Sequence, residues 1–201
     1  MQDFLTKTLS DEPFASFHRA WDAERVDGAL PSRQSIHLRN FIDHLDNLVI
    51  YERRGRRDLR YRLTGSGVAE RVDNLGVEVN LFDHFVPDVH AACEEWWNTV
   101  MDHPCGGLME FSTRFSNGTT RAGMAIALPI TSERGETLLL ARNHMMDIID
   151  VGATCDAPVF GEKYAIGHYF EIGFGVPEGA ATVVAKARSD TTTQGDANKT
   201  A

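Results

Sequence analysis

The sequence predicts an α+β protein built around a mainly antiparallel sheet, and three observations carry that prediction. Its segments run helix, helix, two strands, helices, three strands, a segregated order typical of α+β folds. The last three strand segments alternate apolar and polar residues and are separated by the turn signals Asn117-Gly118 and Glu133-Arg134-Gly135, which suit antiparallel neighbours. Only one long helix, opening at Pro87-Asp88, interrupts the strand segments.

Taken in order, residues 11–27 place Phe14, Phe17 and Trp21 at helical spacing, with acids near the start and Gly28 after the end, which predicts an amphipathic helix. Leu30-Pro31-Ser32-Arg33 breaks it. In residues 35–47 the apolar positions Leu38, Phe41, Ile42 and Leu45 recur at three and four, predicting a second helix that leads into a strand at 48–52. The polar tip Arg53-Arg54-Gly55-Arg56-Arg57 then turns the chain into a second strand carrying Leu59, Tyr61 and Leu63 on one face, so the pair reads as a hairpin.

Two short helical stretches are expected around 67–73 and 80–85, separated by Gly76. In the long helix, Val89, Ala92, Cys93, Trp96, Trp97, Val100 and Met101 keep the spacing of one buried face until His103-Pro104. Strands are expected at 107–115, 120–130 and 136–147, the first with Met109, Phe111, Thr113 and Phe115 alternating. Residues 158–179 carry a glycine-interrupted apolar segment that fits a strand or an extended arm equally. Beyond about Thr182 the composition offers nothing to bury, which predicts a disordered tail.

Composition narrows the function classes. The 201 residues are 42% hydrophobic and 24% charged, as in globular proteins. A net charge of −9 opposes broad binding to nucleic acids or anionic membranes. Three separated cysteines, Cys93, Cys105 and Cys155, form no CxxC pair and point to a reducing cytoplasm rather than a disulfide framework. No apolar run is long enough for a membrane span.

Several motifs invite chemistry. Arg60-Tyr61-Arg62-Leu63-Thr64-Gly65-Ser66-Gly67 runs from strand through a glycine turn toward a helix, like a phosphate loop, but no G-x-G-x-x-G or following lysine is present. Helix initiation explains it better, with Gly65 taking an unusual backbone angle and Ser66 or Gly67 capping. Arg53, Arg54, Arg56 and Arg57 at the tip suit an anionic partner, yet no aromatic residue stands there to stack on bases. His84, His90, His144 and His168 show no metal-site spacing, and a single axial histidine for haem leaves no spacing to test. No nucleophile has an identifiable base; Cys105 before Gly106-Gly107 comes nearest. The reading is therefore non-catalytic, without a metal and with no cofactor identified.

Trp21, the Gly28-Ala29-Leu30-Pro31-Ser32-Arg33 segment, Arg60-Tyr61-Arg62-Leu63-Thr64-Gly65, and Leu128-Pro129-Ile130 ahead of the Gly135 turn together resemble the short PAS-like regulatory proteins of alphaproteobacteria. The resemblance covers roughly residues 14–148, and it departs at Val72–Glu78, where such proteins commonly carry G-x-D/E-x-x-G. It implies a five-stranded antiparallel sheet with helices across one face, a small cavity, and a stand-alone sensor or protein-interaction module without catalytic output. The expected layout is a helix and linker over 1–33, the PAS-like domain over 34–150, an arm over 151–180 and a tail over 181–201.

On that layout Tyr61, Trp97, Phe111, Met124 and His144 are candidate pocket residues for a small ligand or haem. Phe14, Phe17 and Trp21 are candidates for pairing two copies, the alternative being packing on their own sheet. A protein partner in a regulatory pathway is the expected output.

Overall fold

The computed structural model describes residues 2–72, 78–178 and 183–186. Helices α1 (Gln2–Ser10) and α2 (Phe14–Asp22) open the chain, and a 3-10 helical segment (Leu38–Asn47) delivers it into β1 (Leu48–Gly55) and β2 (Asp58–Thr64). Helix α3 (Ser66–Arg71), two 3-10 turns (Leu81–His84 and Pro87–Val89) and α4 (His90–Asp102) follow. Strands β3 (Gly106–Arg114), β4 (Thr119–Thr131), β5 (Thr137–Val151), β6 (Val159–Phe170) and the short β7 (Val183–Lys186) complete it. The strands order as β2-β1-β5-β4-β3-β6-β7, with every pairing antiparallel.

The sheet thus has six strands and a short seventh, where five were expected. The glycine-interrupted segment is a full strand, β6, paired along β3. Residues 183–186, expected in the tail, pair with β6; the remaining tail positions and Gly76 lie outside the described residues.

Helices cover both faces of the sheet rather than one. Val49, Tyr51, Leu139 and Ala141 join a core beneath α3 and α4 that includes Val89, Cys93, Trp96 and Trp97. Their immediate neighbours Leu48, Ile50, Leu138 and Leu140 join a second core with Phe14, Phe17, Trp21 and Phe41. Successive strand side chains point to opposite faces, so unbroken runs such as Leu48-Val49-Ile50-Tyr51 are strands buried on both sides.

Phe17 and Trp21 are 0% exposed, and the Trp21 indole donates to the Pro129 carbonyl at 3.0 Å. The stripe proposed for pairing two copies is therefore consumed within its own chain. The helix expected at 35–47 is a 3-10 segment whose three-residue repeat buries Phe41 and His44. That period turns Ile42 outward, 68% exposed, while Leu38, in the same row as Phe41 but at the segment's first position, is 57% exposed. A register shift between Ile50 and Tyr51 in the β1–β2 pairing separates Tyr61 from Leu63. Tyr61 joins the α4 side and Leu63 packs against the α2 side, as a bulge requires.

The glycine turn is not a left-handed device: Gly65 has φ −66° and ψ 153°. Space is the constraint there, since a Cβ on Gly65 would lie 2.0 Å from the Leu45 carbonyl oxygen. No side chain caps α3, and the Ser66 hydroxyl instead donates to Asp46 at 2.8 Å.

Candidate functional site

On the α4 side, alternate residues of β3 (Met109, Phe111, Thr113), Tyr51 of β1, Tyr61 of β2 and Phe160 of β6 face a cavity of about 50 Å³, roofed by Val68 and Arg71 of α3 and Trp97 of α4. The floor is set by strand alternation and the roof by the helical repeat of α4. One water occupies roughly 10–15 Å³ on this measure, so the cavity holds about four waters or a ligand of about four to six heavy atoms.

Its walls are aromatic. Tyr51 lies 5.0 Å from Tyr61 and 5.5 Å from Trp97, between ring centroids. The Tyr61 hydroxyl and the Asn143 side chain hydrogen-bond to the Tyr51 hydroxyl, while burial raises both tyrosine pKa values far above the ordinary range. Both rings stay neutral and act as hydrogen-bonding walls.

Two buried polar groups in this lining have no hydrogen-bond partner among the described residues: the Trp97 indole nitrogen and the Thr113 hydroxyl. Trp97 is 4% exposed and Thr113 1%. An unmet buried polar group costs about 1–3 kcal/mol, and two together consume a large share of a typical net stability of about 5–15 kcal/mol. A hydrogen-bond acceptor beside the indole and a partner for the hydroxyl would offset that cost. Arg71 adds a cation, its guanidinium donating to the Asn47 side-chain oxygen; burial and then the nearby Arg121 lower its pKa.

Of the sequence candidates, Tyr61, Trp97 and Phe111 line this cavity. Met124 and His144 do not. They pair across β4 and β5 on the opposite face, where Met124 packs in the α2-side core and the His144 ring stands edge-on to Phe14 at 6.0 Å. Counting by twos along β4 from the wrong starting residue sends a side chain to the other face. Sequence reasoning missed Thr113, Arg71, Asn143 and Phe160; Thr113 was legible from the alternation of β3, whereas Asn143 and Phe160 are brought in by long-range pairing and Arg71 by the packing of α3 beside the 3-10 segment that ends at Asn47.

No histidine lines the cavity among the described residues, which leaves a haem there without an axial imidazole. His168 meets Glu110 at 2.8 Å on the α2 side, and His90 bonds the Phe85 carbonyl at 2.9 Å. Among the described residues no three His, Cys, Asp or Glu side chains converge as a metal site. Burial pushes the Cys93 thiol up to about 12 and the Cys105 thiol up to about 11, so both remain protonated and poorly nucleophilic at neutral pH.

The arginine tip is spent on carboxylates of its own chain. Arg53 meets Asp102 at 2.6 Å, Arg54 meets Glu78 at 2.6 Å, and Arg56 meets Glu94 at 2.7 Å, with Arg57 on the other oxygen of the same Glu94. The candidate anion-binding tip carries its own counter-charges: Glu78, Glu94 and Asp102, distant in sequence, fold back onto it. Among the described residues, no helix is long and apolar enough to cross a membrane.

Comparisons with curated proteins and with solved structures find no match. The family model described as PAS domain, a class of sensory and signalling modules that are typically non-catalytic, matches residues 9–141, most of the chain, and the chain belongs to that family.

Proposed function

We propose that this chain is the sensor of a regulatory pathway, taking a small ligand into the aromatic cavity and passing its state to a protein partner without catalysing a reaction. The carrying observation is the aromatic lining of Tyr51, Tyr61, Trp97 and Phe111 with two buried polar groups that have no partner among the described residues. The protonated thiols support a non-catalytic role. All three cysteines are free, which supports a reducing, cytoplasmic setting.

Native mass spectrometry with an absorption spectrum of freshly purified protein tests the reading. A stoichiometric bound mass is expected; a bare, folded protein that no small molecule stabilises would overturn ligand sensing.

A contact role toward a partner has its own support. Residues 143–151 of β5 pair with β4 while the described pairing with β1 stops at Arg142. This stretch exposes Ile148, Ile149 and Val151. An open strand edge with exposed aliphatic residues suits strand addition by another chain. Affinity capture with an Ile148→Lys, Ile149→Lys variant as control tests it, and identical captured proteins would refute it.

A further inference from the structure

We propose that the cavity ligand is a small organic carboxylate, its carboxylate held by Arg71 and a carbonyl or hydroxyl oxygen set against the Trp97 indole N–H and the Thr113 hydroxyl. This rests on the ligand-sensing reading above and names the ligand's class.

The first argument is what Arg71 lacks. Arg53, Arg60, Arg62 and Arg114 are partly buried, and each sits on a carboxylate of its own chain, whereas among the described residues Arg71, Arg121 and Arg142 bond only neutral groups, and of these three Arg71 alone lines the cavity. Arg71 lines the cavity with only a neutral amide as its hydrogen-bond partner among the described residues; the charges that act on it are Arg121 and, more weakly, its chain neighbour Glu70. A guanidinium presents parallel donors that match a carboxylate, and the match strengthens where water is excluded. In a chain of net charge −9, a half-buried arginine beside a second arginine marks the one wall of the cavity that favours an anion.

Size and polarity supply the second argument. About 50 Å³ accommodates roughly four to six heavy atoms, the range of two- to three-carbon acids. Phe111, Phe160, Met109 and Ala125 welcome a short carbon body, and the polar side chains of Tyr51, Tyr61 and Asn143 are already hydrogen-bonded to one another, which leaves few donors for the remaining oxygens of a phosphate. The unmatched Trp97 and Thr113 groups call for one further oxygen, so a 2-oxo or 2-hydroxy acid fits better than a plain fatty acid.

The test titrates the full chain with pyruvate, lactate, propionate, propionamide and inorganic phosphate, followed by calorimetry and by the Trp97 indole N–H resonance. Saturable binding of pyruvate and lactate is expected, with a shift of that resonance, propionate weaker, and propionamide weaker by about tenfold or more, the usual scale for a lost charged hydrogen bond. Arg71→Gln removes the preference for acid over amide, Arg71→Lys keeps part of it, and the near-isosteric Thr113→Val weakens pyruvate and lactate several-fold. Equal binding of propionamide, binding of phosphate in place of the acids, or an unchanged Arg71→Gln variant would overturn the proposal. If Arg71→Gln does not fold, the acid-against-amide comparison and Thr113→Val still decide it. A tightly bound neutral ligand carried through purification would overturn the carboxylate while leaving the sensor reading intact.

Discussion

Trp21 and Pro129, separated by 108 positions, are joined by a hydrogen bond of 3.0 Å from the indole nitrogen to the proline carbonyl. The bond pins α2 to the middle of the sheet. Trp21→Phe keeps an aromatic ring but leaves a buried carbonyl unmet, which costs about 1–3 kcal/mol. Trp21→Ala also opens a cavity and costs about 3–5 kcal/mol. Urea denaturation should show the larger loss for Trp21→Ala; a Trp21→Phe variant as stable as the parent would show that the bond contributes nothing.

Gly65 tolerates no side chain. Its amide donates to the Leu48 carbonyl at 2.8 Å, and a Cβ would strike the Leu45 oxygen at 2.0 Å. Gly65→Ala should destabilise by about 1–3 kcal/mol, lowering the melting temperature by roughly 2–12 °C for a chain of this size. Gly135, where nothing lies within 4 Å but φ is +79°, gives a contrasting control, since its Ala variant suffers from backbone strain alone.

Acid should weaken the fold ahead of the ordinary carboxylate range. Burial depresses the pKa values of His18, His44, His84 and His144 below 6.5, and the Arg142 guanidinium donates to His44 Nδ1 at 3.1 Å, a bond only the unprotonated ring accepts. The unfolded chain therefore binds protons that the folded chain refuses. Stability is full above the unfolded value of 6.5 and is lost as pH falls from there through the depressed folded values, by up to about 1.4 kcal/mol per pH unit for each such histidine. His44→Asn, which retains an acceptor that does not titrate, should flatten the profile between pH 7.5 and 5.5; an unchanged slope would remove His44 from the account.

Glu94 holds both Arg56 and Arg57. Glu94→Gln should release two exposed guanidinium groups and delay elution from a heparin column in a salt-sensitive way, whereas the parent protein should pass with little retention. Strong retention of the parent would restore the anion-binding reading of the tip.

The strands and α4 were legible because their repeats of two and of three-and-four are local. What hid the second helical layer was the sheet's own sequence: Leu138-Leu139-Leu140-Ala141 does not alternate, since both of its faces are buried. Helix α1 mixes Asp3, Thr6 and Lys7 among its apolar residues and gives no clear stripe. The glycines of β6 read as loop signals, yet a Cβ on Gly167 would meet the Trp96 ring at 2.2 Å, so that glycine is a seat for α4. Of the cavity, the β3 and α4 walls were readable. Arg71 and Phe160 were not, because the first is placed by the packing of α3 beside the 3-10 segment that ends at Asn47 and the second by the pairing of β6 on β3.

The pairing of β6 on β3 has a consequence for the chain as it is made. Until residues 159–170 leave the ribosome, β3 is an open edge with Met109 and Phe111 on one side and Leu108 on the other, all buried when folding is complete. A nascent or truncated chain ending at residue 156 therefore carries a sticky, unfinished border. It should accumulate as aggregate or on chaperones, although the whole family-matched stretch, residues 9–141, has already been synthesised.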